Sequence, residues 1–268
     1  MTPAVASIDL TRNLQEVLAL VGLQMSRMLV TFSVIPLFAG GAVPAFVRVA
    51  FVASLAFSLL PLTLADTGLT AMPFSGMLMV ALKEAVVGLV LGLLAGVGFW
   101  AMYIAGTVIE YQAGLSMATT VDPLMGREDS MIGGLFMQLF SAVFLIAGGL
   151  LALIDMLFDS YRVWPLSSMR PIAGVAQVAD VAMRGLADML LLSVKIAAPF
   201  LILMLVVELA LGLLSRFAPQ LNVFFLALPL KVGVLAVLLL IYGAVMSGNL
   251  ATWPIADFRH WLDLLRSL

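Results

Sequence analysis

Long apolar runs separated by brief polar punctuation dominate the chain. The first runs from about Val17 to Ala39 and stops at the Gly-Gly of FAGGAVP; the second covers about Phe46 to Ala65 and stops at DTG. A third begins near Met77 and continues through KEAVVGLVLGLLAGVGFWAMYIAGTVIE. At a rise of about 1.5 Å per residue that is more helix than one bilayer crossing needs. A fourth spans about Met131 to Tyr161 and is closed by VWPLSSMRP. The more amphipathic VAQVADVAMRGLADMLLLSV leads into a fifth that reaches Phe217, and the last covers about Val223 to Met246. The tail WPIADFRHWLDLLRSL has the pattern of an amphipathic helix. These periods predict an all-α protein of about six long apolar segments plus a C-terminal amphipathic helix. No soluble domain or low-complexity linker interrupts residues 1–268, so a single helical domain is expected.

Composition turns this pattern into a class. With 63% hydrophobic and 10% charged residues, and a mean hydropathy of +1.18, the chain suits a membrane or a membrane-derived assembly. A net charge of -2 excludes the basic face that nucleic-acid binding requires. The absence of cysteine removes disulfide and thiolate chemistry. The opening MTPAVASIDLTRNLQ carries Asp9 and Glu16 and lacks a basic region followed by a short apolar core, so no removable signal peptide is expected.

The charges sit in unexpected places. Arg27, Arg48, Lys83, Glu84, Glu110, Asp155, Lys195, Glu208 and Lys231 lie inside or at the edges of apolar runs, where facing lipid costs at least a few kcal/mol per ion. They pair inside a bundle, face a water-filled path, or sit on helices that do not cross the bilayer squarely. One pair follows from spacing. Glu208 lies eleven residues before Pro219 and Lys231 twelve after it, so a helical hairpin bending there brings both to nearly the same depth. A structural ion pair, a proton or ion relay, and contact with another subunit all fit that spacing. Basic residues show no alternating loop bias, and the helices are not oriented by charge.

Enzyme signatures are missing. The single histidine, His260, lies in the tail beside Trp261 and Asp263, which suits a surface or interfacial residue and gives no metal cluster or Ser-His-Asp set. No phosphate-cradling G-x-x-x-x-G-K-[ST] run occurs. Gly88, Gly92 and Gly96 share one helical face, a spacing suited to close helix packing. A secondary transporter would show repeat-related interrupted segments around a midplane site, and no convincing internal repeat is present. An intramembrane enzyme would need convergent catalytic groups, which are lacking. No catalytic, cofactor-binding or metal residue is assigned.

The succession KEAVVGLVLGLLAGVGFWAM, EYQAGLSMATTVDP, SYRVWPL and ELALGLLSRFAPQLNVFFLALPLK resembles the SctT/FliR family of type III secretion export-gate proteins. The resemblance covers nearly the whole chain in order and spacing. Ser215, Phe217 and Lys231 are more similar to the injectisome branch, SctT, than to the flagellar one. The resemblance implies bent helical hairpins, with an SctR-like part near 1–170 and an SctS-like part near 171–268. It implies one copy in a helical, pseudo-hexameric gate with SctR-like and SctS-like subunits, next to SctU-like and SctV-like export proteins and inner rod or needle base proteins. Unfolded substrates would pass through its centre. The location implied is the bacterial inner membrane, in contact with lipid, with much of the gate raised toward the periplasm. Charges would interrupt the apolar runs because these segments bury against neighbouring subunits as well as lipid.

The stretch VIEYQAGLSMATTVDPLMGREDS, residues 108–130, then takes on a second meaning. Taken alone it is an ordinary connecting loop. Ala113, Gly114, Ser116 and Ala118 are small, Leu115 and Met117 are apolar, and Asp122-Pro123 can end the irregular segment by capping the next turn. The resemblance implies a plug in the closed pore, formed by Gln112, Ala113, Gly114, Leu115, Ser116, Met117, Asp122 and Pro123. There small residues fit a narrow lumen and methionine deforms around a passing chain. Lys83, Glu84, Glu110, Glu208 and Lys231 are the buried-charge and assembly candidates. Arg216, Pro219 and Gln220 close a hairpin or form an intersubunit contact at its tip. The seventeen methionines suit gap filling in a helical core, and Trp164, Trp253 and Trp261 suit interfacial anchoring.

Overall fold

The computed structural model describes residues 10–39, 43–63, 73–115, 130–169, 175–218 and 223–250. Among these residues the fold is all-helical and contains no strand. In chain order the helices are α1 (Leu10–Val34), α2 (Pro36–Ala39), α3 (Ala45–Thr63), α4 (Phe74–Ala113), α5 (Met131–Ile146), α6 (Gly149–Val163), α7 (Val175–Phe217) and α8 (Val223–Leu250). Among the described residues three stretches are long and apolar enough to cross a membrane, Val17–Val34, Phe74–Ala113 and Val178–Phe217, and α5 with α6 makes a fourth if the pair is one span. The tail with Trp253, His260 and Trp261 lies outside the described residues.

Two sequence segments resolve differently from their hydrophobic pattern. The amphipathic piece and the fifth apolar run form one continuous helix of 43 residues, which passes through Pro199. The fourth run, continuous in hydrophobicity, is two helices bent by 76°. The break falls at Ala147–Gly148, where Gly148 takes φ +80. There the Ala147 N–H still bonds Val143 O at 2.8 Å, and the Gly148 carbonyl starts the next helix through Leu151 N–H at 3.1 Å. An L side chain at such a φ is strained, so glycine permits the turn without interrupting the apolar composition.

The described residues fall into two compact units, one made from parts of 10–96 and 153–183 and the other from 97–152 and 184–250. In the first, α1 packs on α3, and the Phe32 ring meets Phe38 and Phe51 edge-on at 4.8 and 5.5 Å. The N-terminal part of α4 crosses α1 backbone to backbone. A Cβ on Gly92 would stand 2.9 Å from both Thr31 O and Val34 Cβ, and one on Gly88 would run into the Arg27 carbonyl. The Thr31 hydroxyl reaches across this crossing to Gly88 O at 3.0 Å. In the second unit Phe99 packs edge-on against Phe140 and Phe144 at 4.9 and 5.1 Å. Phe136 meets Phe200 at 6.1 Å, and Ala105, Ile109 and Ala113 are fully buried along the α4 face.

Candidate functional site

The functional candidate is the base of the connection between α4 and α5. Helix α4 ends at Ala113, and Gly114 takes φ +81. The Gly114 N–H bonds Tyr111 O at 3.1 Å and the Leu115 N–H bonds Glu110 O at 3.3 Å, a left-handed helix stop of the kind glycine favours. Ala113 is buried, while Gln112, Gly114 and Leu115 are half-buried. Ser116, Met117, Asp122 and Pro123 lie outside the described residues. The far end of the connection returns at Ser130, the N-cap of α5.

Glu110 joins the two ends. Its Oε2 accepts the Ser130 hydroxyl at 2.5 Å and the Ile132 N–H at 2.9 Å, and the Ser130 Oγ in turn accepts the Gly133 N–H at 2.8 Å. A carboxylate from the last turn of α4 thus caps α5, where the exposed amides and the helix dipole favour negative charge. Glu110 is 7% exposed, so these charge-assisted bonds are shielded from water. The chain between residues 110 and 130 is closed at its neck by one side chain.

The same neck is tied to the α7–α8 hairpin. Lys231 on α8 pairs with Glu208 Oε1 on α7, and its ammonium also donates to the Gln112 carbonyl at 3.2 Å. The Gln112 side-chain amide donates to the other oxygen of Glu208 at 3.3 Å. Lys231 and Glu208 therefore meet across the hairpin and also hold the last turn of α4. Leu228 lies one turn before Lys231, and its Cδ1 stands 3.3 Å from where a Cβ on Gly114 would be. Arg216 is exposed at the end of α7, where a cation complements the helix C-terminus. Pro219 and Gln220 lie outside the described residues.

The other charge candidates form a separate knot in the first unit. Arg27 and Glu84 are fully buried and joined bidentately, Nε to Oε2 at 2.6 Å and Nη2 to Oε1 at 3.0 Å. Arg27 also donates to Ser160 Oγ at 2.9 Å and Trp164 O at 2.8 Å, with its guanidinium 4.0 Å from the Tyr161 ring centroid. Lys83 reaches Glu84 at 2.7 Å. Its ammonium also lies within hydrogen-bond distance of the carbonyls of Pro165, Leu166 and Ser168 at 3.1, 3.1 and 3.2 Å, so its three protons are shared among four acceptors. Two cations thus saturate one carboxylate and the carbonyls beyond the end of α6, which suits anchoring rather than chemistry. Among the described residues no group of His, Asp and Glu is arranged to hold a metal ion.

Sequence reasoning placed Glu208 opposite Lys231 but gave Arg27, Lys83, Glu84 and Glu110 no partners. Arg27 and Lys83 share Glu84 as their charged partner, and the remaining partners are Ser160, carbonyls between 164 and 168, Ser130 and the Ile132 amide, groups that carry no charge pattern. Ser130 alone left a readable trace, since a serine directly before an apolar run is a helix-start signature.

Residues 18–252 match the family described as bacterial export proteins, family 1. The chain is 35% identical over 224 residues to Yop proteins translocation protein T of Yersinia pestis, covering 82% of this chain and 84% of that relative. It is 31% identical over 239 residues to the surface presentation of antigens protein SpaR of Salmonella typhimurium, covering 86% and 85%. It is also 31% identical over 237 residues to the flagellar biosynthetic protein FliR of Bacillus subtilis, covering 87% and 91%. With a match over most of its length and an all-helical, membrane-compatible fold, the chain belongs to family 1 of the bacterial export proteins, the SctT/FliR family, and its similarity to protein T fits the SctT branch.

Proposed function

We propose that this chain is a subunit of a type III secretion export gate in the bacterial inner membrane, and that the connection from Gln112 to Pro123 is a plug across the path of exported, unfolded protein. The observation that carries this reading is the neck. Glu110 ties the end of α4 to Ser130 and Ile132 at the start of α5, and the Lys231–Glu208 pair holds Gln112, so both sides of a connection whose sequence is rich in small and flexible residues are anchored. An ordinary connection needs no such double anchorage.

The exposed apolar faces support an assembled state. Phe46, Phe74 and Phe217 are each more than four-fifths exposed, too much for an isolated chain in water. SctR-like and SctS-like subunits, with lipid, are the proposed cover, and SctU-like, SctV-like and rod or needle base proteins the neighbours in the apparatus. The chain acts by forming the path, not as an enzyme. Its first 170 residues take the SctR-like role and the remainder the SctS-like role, within a gate partly raised toward the periplasm.

The test is a set of loop variants in assembled gates. Deletion of Gly114 to Met117 is expected to leave the complex assembled and make the membrane permeable to ions or small solutes. Bulky replacements of Gly114 and Ser116 are expected to block secretion. Intact secretion and unchanged conductance in an assembled deletion variant exclude the plug.

A further inference from the structure

We propose that the outward face of α7, from Asp188 to Leu209, is a docking seam for one helix of a different subunit, and that Asp188 and Lys195 fix its register by pairing with a base and an acid on that helix. This rests on the export-gate reading and adds which face of the chain meets a partner and what chemistry that partner carries.

Asp188, Leu191, Lys195, Ile202, Leu205 and Leu209 follow one another at intervals of 3, 4, 7, 3 and 4 residues, the repeat by which one helix presents a continuous row to another. All six are exposed, and at the rise of a helix the row runs for about 30 Å. The opposite face of the same helix is already committed, since Ile196, Phe200, Met204 and Leu211 are buried. Helix α7 therefore carries one face packed inside the chain and one turned outward with the spacing of a helix-pairing seam.

The charges decide what covers the outward face. Among the described residues Asp188 and Lys195 make no ion pair or hydrogen bond through their side chains, and Leu190, Leu191 and Val194 between them are more than half exposed. Hydrocarbon suits these apolar side chains but penalises both ions heavily. Water suits the ions but leaves the apolar row bare. A helix that sets a Lys or Arg against Asp188 and an Asp or Glu against Lys195, with apolar residues along the rest of its row, satisfies both sets at once. Charged residues at such positions fix the register of a helix pair, and like charges there reject a wrong partner. A second copy of this chain meets only half of this demand. A two-fold axis between Leu191 and Leu192 pairs Asp188 with Lys195 in both directions, but it sets Ile202 opposite Val181, which is buried within its own chain. The apolar half of the seam thus calls for a different subunit.

The experiment places a photoreactive benzoylphenylalanine singly at Leu191 and at Leu205, in membranes where the chain is assembled with its other subunits, and maps the adducts by mass spectrometry. These two positions are two heptads apart, so both are expected to join one helix of one partner subunit at points about fourteen residues apart. A base and an acid seven residues apart, matching Asp188 and Lys195, are expected beside the Leu191 adduct. Asp188→Lys is expected to lower the Leu191 adduct roughly tenfold or more, and exchange of the mapped base for Glu is expected to restore it. Where Asp188→Lys does not assemble, Asp188→Asn is read in the same way. A partner helix without that base and acid, or a Leu191 adduct unchanged in the Asp188 variants, overturns the charge register. Adducts to lipid, to a second copy of this chain or to scattered sites, or no adduct, overturn the seam in assembled gates and leave the export-gate reading standing. A wild-type chain that purifies without other subunits overturns that reading and the seam together.

Discussion

Removing the Glu84 carboxylate is the most damaging single change the first unit offers. Glu84→Ala deletes the acceptor for Arg27 Nε, Arg27 Nη2 and Lys83 Nζ. Two cations are left in a site where Arg27 is fully buried and the Lys83 side chain is 8% exposed. Breaking a buried pair from one side costs about 3–5 kcal/mol, because the abandoned charge has no water to turn to. For a chain of this size about 2–4 °C of Tm follows each kcal/mol, which gives a fall of at least about 6 °C in the purified complex. Arg162→Ala is the internal control. Its partner Asp159 is three residues away and its own side chain is 72% exposed, so the loss is at most about 0.5 kcal/mol, or about 1–2 °C. The double change Arg27→Met with Glu84→Met is expected to cost less than the sum of the single changes, since Arg27 and Glu84 are removed together and Lys83 keeps its carbonyl acceptors. Thermal melts of detergent-purified gates read all of these variants. An equal small shift for Glu84→Ala and Arg162→Ala refutes the reasoning.

Gly88→Ala is expected to lower stability by about 1–3 kcal/mol, because the new methyl meets the Arg27 backbone and no rotamer can relieve it; Gly22→Ala, with open space around it, is expected to raise stability by about 0.5–1 kcal/mol in the same melts. Glu208→Gln and Lys231→Met are each expected to reduce recovery of the assembled complex modestly, by about 1 kcal/mol, since the Glu208 side chain is 43% exposed. Their combination should be milder than the sum, and strict additivity in a co-purification assay removes the pairing.

The fold class was legible in the sequence because helix formation and burial are written in composition. A 40-residue run such as α4 can hardly be anything else. The α7–α8 hairpin and its ion pair were legible too, because Pro219 and two charges nearly equidistant from it leave a local trace. The bend at Gly148 was not, since a glycine inside an apolar run changes neither hydrophobicity nor charge. The partners of Arg27 and Glu110 were hidden for a related reason. Glu84, Ser160 and Ser130 lie 57, 133 and 20 residues away, and the Trp164 carbonyl and the Ile132 amide are backbone groups of the kind every residue carries. The two-cation knot was visible only as misplaced charges. Their place inside the fold, not their spacing, makes sense of them.

The central claim is that the segment following Gly114 stands in the path of the exported chain. Site-specific photocrosslinking tests it most directly, with a photoreactive residue placed at Leu115, Ser116 or Met117 in assembled gates that carry a substrate arrested in transit. The parallel site is Phe57 on α3, whose side chain is 61% exposed and lies apart from the neck in sequence. The account predicts crosslinks from the loop positions to the arrested substrate, lost when the substrate is omitted, and none from Phe57. Substrate crosslinks absent from all three loop positions, in gates that demonstrably hold the arrested chain, contradict it.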